Sequence, residues 1–122
     1  GTQIYGNIFE NIYRALTVGG GRDNIITNNT FKDCDISVAL DTRGTKWFSV
    51  YENTMMQRLN AMPYLSQRWA TAYPQLSKIM DNKPMEPMGN IIKNNKFINF
   101  KSNVIDPDAS KHIDLTDNSI TE

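Results

Sequence analysis

The sequence has little of the chemistry from which many binding and catalytic sites are built. Its 122 residues include one cysteine, Cys34, and one histidine, His112, which exclude an internal disulfide and do not make a transition-metal site by themselves. Basic and acidic residues balance at 13 each, so nothing indicates electrostatic capture of nucleic acid or an anionic membrane. No apolar run approaches the ~20 residues that span a bilayer. Phosphate-loop, dinucleotide and nucleophile-elbow motifs are also missing.

Asparagine, in contrast, is abundant and recurs at fixed positions. Residues 24–31 read N-I-I-T-N-N-T-F and residues 90–97 read N-I-I-K-N-N-K-F, while looser copies occupy 3–9 and 113–120. Successive aligned asparagines are 22, 66 and 23 residues apart, and 66 is three times 22. A period in the low twenties predicts a repeat architecture. The aligned residues are Asn7, Asn29, Asn95 and Asn118.

Apolar and polar residues alternate within each copy, which is typical of a half-buried strand. A repeat unit of this length is too short for two parallel strands with a crossover helix, but it suffices for two or three short strands wound once around an axis. Each unit must stack on the next to bury its apolar face. We therefore predict an all-β solenoid of about four coils, in which Leu16 stacks under Val38 and aligned asparagines bond to each other. Cys34 falls on a core position.

A helical period replaces the strand period between about residues 51 and 89. Met55, Leu59 and Met62 are spaced for a helix, with Asn53 or Thr54 as its cap and Pro63 as its end. We predict a short α-helical insertion at about 52–81, with Ser66 and Pro74 starting further helices and Trp69 and Tyr73 in core packing. The predicted coils occupy about 2–23, 24–50, 90–111 and 112–122; the third has a strand at 103–106 and a turn at 107–110.

The repeat N-x-I-x-x-N-x-F-x-x-C/N resembles that of the right-handed single-stranded parallel β-helix, the pectate-lyase-like superfamily. Residues 38–47, with the pattern D-x-R-G-x-x-W, and residues 62–90 resemble segments of bacterial β-helix proteins that act on carbohydrates. The resemblance implies a secreted parent, extracellular or periplasmic, of which this chain is a fragment. It is specific for a fold and weak for a reaction, because such folds host lyases, hydrolases and inert scaffolds.

Acidic residues recur at the corner that follows the third strand of each predicted coil. Stacked strands lie ~4.8 Å apart, so corresponding carboxylates would be about 5 Å apart on adjacent coils and about 10 Å apart when two coils separate them. These values bracket the separations in retaining and inverting glycosidases. We predict Asp41 and Asp106 as acid and base. A structural alternative is that Asp41 and Arg43 only lock the corner as an ion pair, and His112 only caps a turn.

Arg43 is the predicted anchor for a sugar carboxylate, with Arg22 at the equivalent corner of the first coil. Trp47 and Tyr51 are predicted to stack on sugar rings, although they could equally seat the insertion on the coils. Two functions stay open. One is a glycoside hydrolase or polysaccharide lyase segment; the other is a non-catalytic scaffold or glycan-binding module. Either takes a polysaccharide or oligosaccharide as partner.

No cofactor is predicted, apart from calcium, for which Asp23, Asp41 and Asp106 would offer oxygen ligands. The fourth predicted coil lacks its second half and leaves a strand edge open. The open coil ends are therefore predicted to self-associate, unless the parent protein continues.

Overall fold

A computed structural model describes all residues, 1–122. Eleven strands form three parallel sheets, and four α-helices lie in two of the connections between strands, so the chain is an α/β protein. The predicted class, an all-β solenoid in the form of a right-handed parallel β-helix, is wrong. Helices are a full part of the architecture, because residues 43–86 form a compact unit of their own and a fourth helix follows the ninth strand.

The chain divides into a strand unit, Gly1–Thr42 with Pro87–Glu122, and a helical unit, Arg43–Glu86. The strands are β1 (Gln3–Tyr5), β2 (Ile8–Glu10), β3 (Arg14–Gly19), β4 (Ile25–Thr27), β5 (Thr30–Lys32), β6 (Ile36–Asp41), β7 (Asn90–Lys93), β8 (Lys96–Ile98), β9 (Val104–Ile105), β10 (Ile113–Asp114) and β11 (Ser119–Thr121). The α-helices are α1 (Glu52–Asn60), α2 (Gln67–Ala72), α3 (Pro74–Ser77) and α4 (Pro107–Ser110). Short 3₁₀ helices occupy Ser49–Tyr51 and Ile79–Asp81.

Successive strands along the chain belong to the three sheets in turn, and one set of three successive strands makes up a coil. The strand orders are β1-β4-β7-β10, β11-β8-β5-β2 and β3-β6-β9. Ile26 pairs in parallel register with Ile4 of the preceding coil and with Ile92 of the following one. The predicted pairing of residues 24–31 with 90–97 is confirmed, as is that of Leu16 with Val38. Because these two repeat copies pair directly, no further coil lies between Asn29 and Asn95 in the stack, although their spacing is three times 22 residues.

Stacked apolar side chains form the core of the strand unit. The Phe31 ring lies 4.9 Å from that of Phe9 and 5.2 Å from that of Phe97, with the planes within 12° of parallel. Cys34 is buried, as predicted, with its Sγ near the carbonyl oxygens of Phe9 and Lys32. Since the same residue type recurs in successive coils, each apolar side chain meets its equivalent above and below.

The corners between strands explain much of the asparagine excess. At the first corner, the left-handed backbone conformation is adopted by Gly6, Asn28, Asn94 and Asp117. The second corner repeats this conformation at Asn11, Asp33 and Asn99. Asparagine, aspartate and glycine tolerate positive φ better than other residues do, so the sequence supplies these three types at the bends.

The helical unit follows the predicted segment closely but differs in its helix starts. Helix α1 begins at Glu52, with Tyr51 at the N-cap and no capping side chain, so the prediction of Asn53 or Thr54 as the cap is wrong. Ser66 occupies the N-cap position of α2 but makes no capping hydrogen bond with its side chain. Pro74 stands in the first turn of α3, where its fixed φ and missing N–H are tolerated.

Helix α4 replaces the turn predicted at residues 107–110. Asp106 is its N-cap and accepts a hydrogen bond from the Asp108 N–H, and Pro107 occupies the first turn. The predicted strand at 103–106 is correspondingly shorter, Val104–Ile105. None of the helices has the length and apolar character needed to cross a bilayer.

Candidate functional site

The predicted site residues lie in both units. Asp41, Asp106 and Arg22 belong to the strand unit, whereas Arg43, Trp47 and Tyr51 belong to the helical unit. Each set is therefore described by itself.

Asp41 and Asp106 lie at the ends of neighbouring strands. Leu40 of β6 pairs with Ile105 of β9, and the next residue along each strand is one of the two aspartates. The Asp106 N–H donates to the Leu40 carbonyl oxygen at 2.9 Å, which continues the ladder by one residue. The parallel sheet thus places the two residues next to each other at the ends of neighbouring strands.

The Asp106 carboxylate has structural partners on both of its oxygens. Oδ1 accepts from the Asp108 N–H at 3.0 Å and Oδ2 accepts from the Thr42 hydroxyl at 3.0 Å. Thr42 is itself buried. A carboxylate in this arrangement caps helix α4 and holds the end of the neighbouring strand, because its oxygens satisfy an orphan helix N–H and a buried hydroxyl.

Arg22 and Asp23 lie in the loop between β3 and β4, at the predicted glycine-rich corner. Arg22 is half-buried. Asp23 adopts φ 54° and its N–H donates to the Met88 carbonyl oxygen at 3.0 Å. Its carboxylate lies against Gly89, where an added Cβ would come within 2.3 Å of Oδ1. Asp23 therefore packs where the chain re-enters the strand unit.

The acidic corners do not form a metal site in this structure. No group of three or more histidine, cysteine, aspartate or glutamate side chains lies close enough to hold a metal ion. The calcium site proposed on Asp23, Asp41 and Asp106 is therefore not assembled. His112, the other candidate proton carrier, is half-buried, and its backbone N–H donates to the Ala109 carbonyl oxygen after α4.

The three predicted sugar-contacting residues of the helical unit form one aromatic cluster, referred to as the Trp47 cluster: Arg43, Trp47, Phe48 and Tyr51. The Arg43 guanidinium lies 5.4 Å from the centre of the Trp47 ring. The Phe48 ring meets the Trp47 ring edge-on, with their centres 4.9 Å apart. It is tilted against the Tyr51 ring, with their centres 4.8 Å apart. The Phe48 N–H donates to the Arg43 carbonyl oxygen at 2.9 Å, which fixes the segment that carries them.

Trp47 and Tyr51 are exposed in spite of this clustering. Their side chains retain 64% and 51% of their accessible surface. Exposed aromatic rings beside a guanidinium offer an apolar face and a charged donor to the same ligand.

Trp69 and Tyr73 form a second exposed aromatic pair, which the prediction of core packing missed. Tyr73 is 56% exposed and Trp69 is half-buried. Their ring centres are 5.6 Å apart with the planes at 44°, and together with Arg68 and Ala72 they line an open hollow of about 370 Å³. The helical i, i+4 spacing of the two rings predicts that they are neighbours but not that they are exposed.

Comparisons with protein-family models, curated proteins and solved structures gave no match to this chain. The functional assignment therefore depends on the geometry of the chain itself.

Proposed function

We propose that this chain is a non-catalytic glycan-binding segment that holds a polysaccharide through the Trp47 cluster. The observation that carries the proposal is the exposure of Trp47 with Arg43 beside its ring. The C–H face of a sugar ring packs on an exposed aromatic face, and a guanidinium donates hydrogen bonds to sugar oxygens or to a carboxylate. The proposal retains the extracellular or periplasmic location of the parent protein that the sequence resemblance implies.

The hydrogen bonds that the Asp106 carboxylate accepts favour glycan binding over hydrolysis or elimination as the function. A general acid or base needs an oxygen that can reach the proton it transfers. Both Asp106 oxygens already accept hydrogen bonds within the fold, from Asp108 and Thr42. The position of the aromatic cluster in the helical unit gives this segment a contact surface that requires no carboxylate pair.

Affinity electrophoresis in gels that contain a soluble polysaccharide tests the proposal. We expect Trp47→Ala to weaken retardation of the chain about tenfold, which corresponds to about 1.4 kcal/mol, while Trp47→Phe retains most of it because a ring remains. The matched control is Val50→Ala, because Val50 is 77% exposed and contributes no ring. Equal retardation of the wild-type chain and Trp47→Ala across acidic and neutral polysaccharides would remove the Trp47 cluster from the function.

A second candidate, a hydrolase or lyase segment, is supported by one observation: the placement of Asp41 and Asp106 at neighbouring strand ends. It is tested by Asp41→Asn in the parent protein. Loss of turnover with unchanged polysaccharide retention would favour this candidate, and unchanged turnover would remove Asp41 from any mechanism.

A further inference from the structure

The hollow on helix α2 is built from two neighbouring columns of side chains. Arg68 and Ala72 stand at i and i+4, as do Trp69 and Tyr73, and residues at this spacing lie one above the other on a helix surface. All four line the hollow, whose volume of about 370 Å³ is at the lower end of the range for ligand pockets, about 300–1,000 Å³. It therefore has room for a small ring.

The two aromatic rings of the hollow are carried by the last turn of helix α2 and the residue that follows it. The Tyr73 N–H donates to the Trp69 carbonyl oxygen at 2.7 Å and closes the last turn of α2. Pro74 follows immediately and begins α3, so the chain direction changes at Tyr73. The two rings lie against each other as a tilted pair, with their centres 5.6 Å apart and their planes at 44°. A pre-arranged pair loses little conformational entropy when a ligand binds.

Arg68 supplies the charge of the hollow. It is exposed and takes part in none of the ion pairs of the structure, so no carboxylate of the chain occupies its guanidinium. Ala72, one turn further along the helix, is small and exposed, so its side chain fills little of the hollow. The planar guanidinium fork matches a carboxylate, and it can bind one bidentately.

We propose that this hollow, formed by Arg68, Trp69, Ala72 and Tyr73, is a subsite for a uronic acid residue. The rings receive the C–H face of the sugar and Arg68 binds its carboxylate. The inference rests on the proposed glycan-binding function and deepens it, because it specifies an acidic polysaccharide as the ligand. A neutral sugar would leave Arg68 without a role, and a lone sulfate or phosphate would leave the rings without one.

Single-stranded nucleic acid also combines a stacking face with an anion. The balance of 13 basic and 13 acidic residues disfavours it, because such proteins track the phosphate backbone with a basic groove. A short thymidine oligonucleotide is therefore included among the test ligands. Tight oligonucleotide binding that is lost in Arg68→Gln would overturn the uronate assignment.

The experiment compares two forms of one polymer, polygalacturonate and its fully methyl-esterified derivative, by isothermal titration. The sugar backbone is the same, and each charged carboxylate is replaced by an uncharged methyl ester. We expect the chain to bind polygalacturonate at least fivefold more tightly, and Arg68→Gln to reduce this preference to less than twofold. The control is Arg58→Gln, which removes an equally exposed arginine from helix α1 and is expected to leave the preference unchanged.

Two further arms separate charge from shape. Ala72→Leu retains a strong helix former but fills the hollow, so it is expected to weaken polygalacturonate binding at least fivefold. Dextran sulfate, which is anionic but has no carboxylate, is expected to bind more weakly than polygalacturonate. Equal binding of dextran sulfate, or an unchanged preference in Arg68→Gln, would overturn the uronate subsite.

Failure of the subsite is distinguishable from failure of the proposed function. Trp47→Ala is expected to weaken binding to both forms of the polymer by a similar factor, whereas Arg68→Gln affects the charged form alone. If Trp47→Ala weakens binding and Arg68→Gln does not, the subsite is disproved and the glycan-binding function stands. If the wild-type chain binds neither polymer, both are disproved.

Discussion

Asn29 and Asn95, which lie on neighbouring coils but far apart in the sequence, are joined by two hydrogen bonds to one amide oxygen. Asn95 Oδ1 accepts from the Asn29 backbone N–H at 3.0 Å and from its Nδ2 at 3.1 Å. The same relationship links Asn7 to Asn29 and Asn95 to Asn118. These hydrogen bonds thus link the corner of each coil to the corner of the next. The two asparagines in the middle of the stack, Asn29 and Asn95, are buried.

Replacement of Asn95 by alanine is expected to lower the free energy of unfolding by about 3 kcal/mol or more. The variant loses the acceptor for Asn29 and leaves the buried carbonyl oxygens of Ile26 and Lys93 without their Nδ2 donor. Urea denaturation followed by far-ultraviolet circular dichroism measures the change. Both tryptophans lie in the helical unit, so tryptophan fluorescence would not report directly on this ladder.

Asn7→Ala is the internal control for this prediction. Asn7 occupies the same position in the first coil, but it is exposed and water can replace its bonds. We expect a loss of about 1 kcal/mol. Equal losses for the two variants would show that burial of the ladder contributes little to its strength.

Asp106→Ala is expected to destabilise the strand unit by about 1–2 kcal/mol, since it removes the cap of α4 and the partner of the Thr42 hydroxyl. Asp106→Asn retains an amide oxygen that can accept from the Asp108 N–H, so the loss should be about half as large. Thermal and urea unfolding of the three proteins provide the comparison. A stability that is unchanged in Asp106→Ala would contradict the capping role and would reopen the catalytic interpretation.

The pairing of the strands could be predicted from the sequence, whereas the fold class could not. The repeat offset predicts the partners of Ile26 and Leu16 because in-register parallel stacking places equivalent residues side by side. The helical segment between the two central repeat copies was predicted from its own spacing of apolar residues, whereas the helix after Ile105 was predicted as a turn. Helix α4 was predictable, since Asp106-Pro107 is an N-cap residue followed by proline in the first turn.

Exposure was the property that local sequence did not reveal. Trp69 and Tyr73 have the helical spacing of a core stripe, and the same spacing occurs on a helix surface that binds a ligand. Which of the two applies depends on what packs against the helix, and this is decided by the rest of the chain. Likewise, Asp41 and Asp106 lie at the ends of neighbouring strands, but the repeat does not show that Thr42 and Asp108 occupy the Asp106 oxygens.

Gly44→Ala is expected to destabilise the helical unit by about 1–3 kcal/mol. A Cβ at this position would lie 2.2 Å from the Met85 carbonyl oxygen, a backbone atom that cannot move aside alone. The fluorescence of Trp47 and Trp69 should report the earlier unfolding transition. Gly6→Ala serves for comparison, because it meets no atom within 4 Å and its cost comes from a φ of +67°. It should shift the dichroism of the strand unit and leave the fluorescence transition in place.

The hydroxyl of Thr116 is expected to set part of the acidity of Asp114. Hydrogen bonds from the Thr116 N–H, at 2.9 Å, and then from its hydroxyl, at 2.8 Å, lower the pKa of Asp114 from its ordinary value of 3.8, and Lys93 nearby acts in the same direction. Because the pKa is lower in the folded chain, these contacts favour folding above about pH 3.8, and this contribution is lost as the pH falls through the folded-state pKa. In Thr116→Val the hydroxyl is removed and the backbone bond remains, so the pKa of Asp114 should rise part of the way towards 3.8. A carboxyl-carbon NMR titration measures it, with Thr121→Val as the control. An Asp114 pKa that does not move would show that the backbone bond and Lys93 alone account for its acidity.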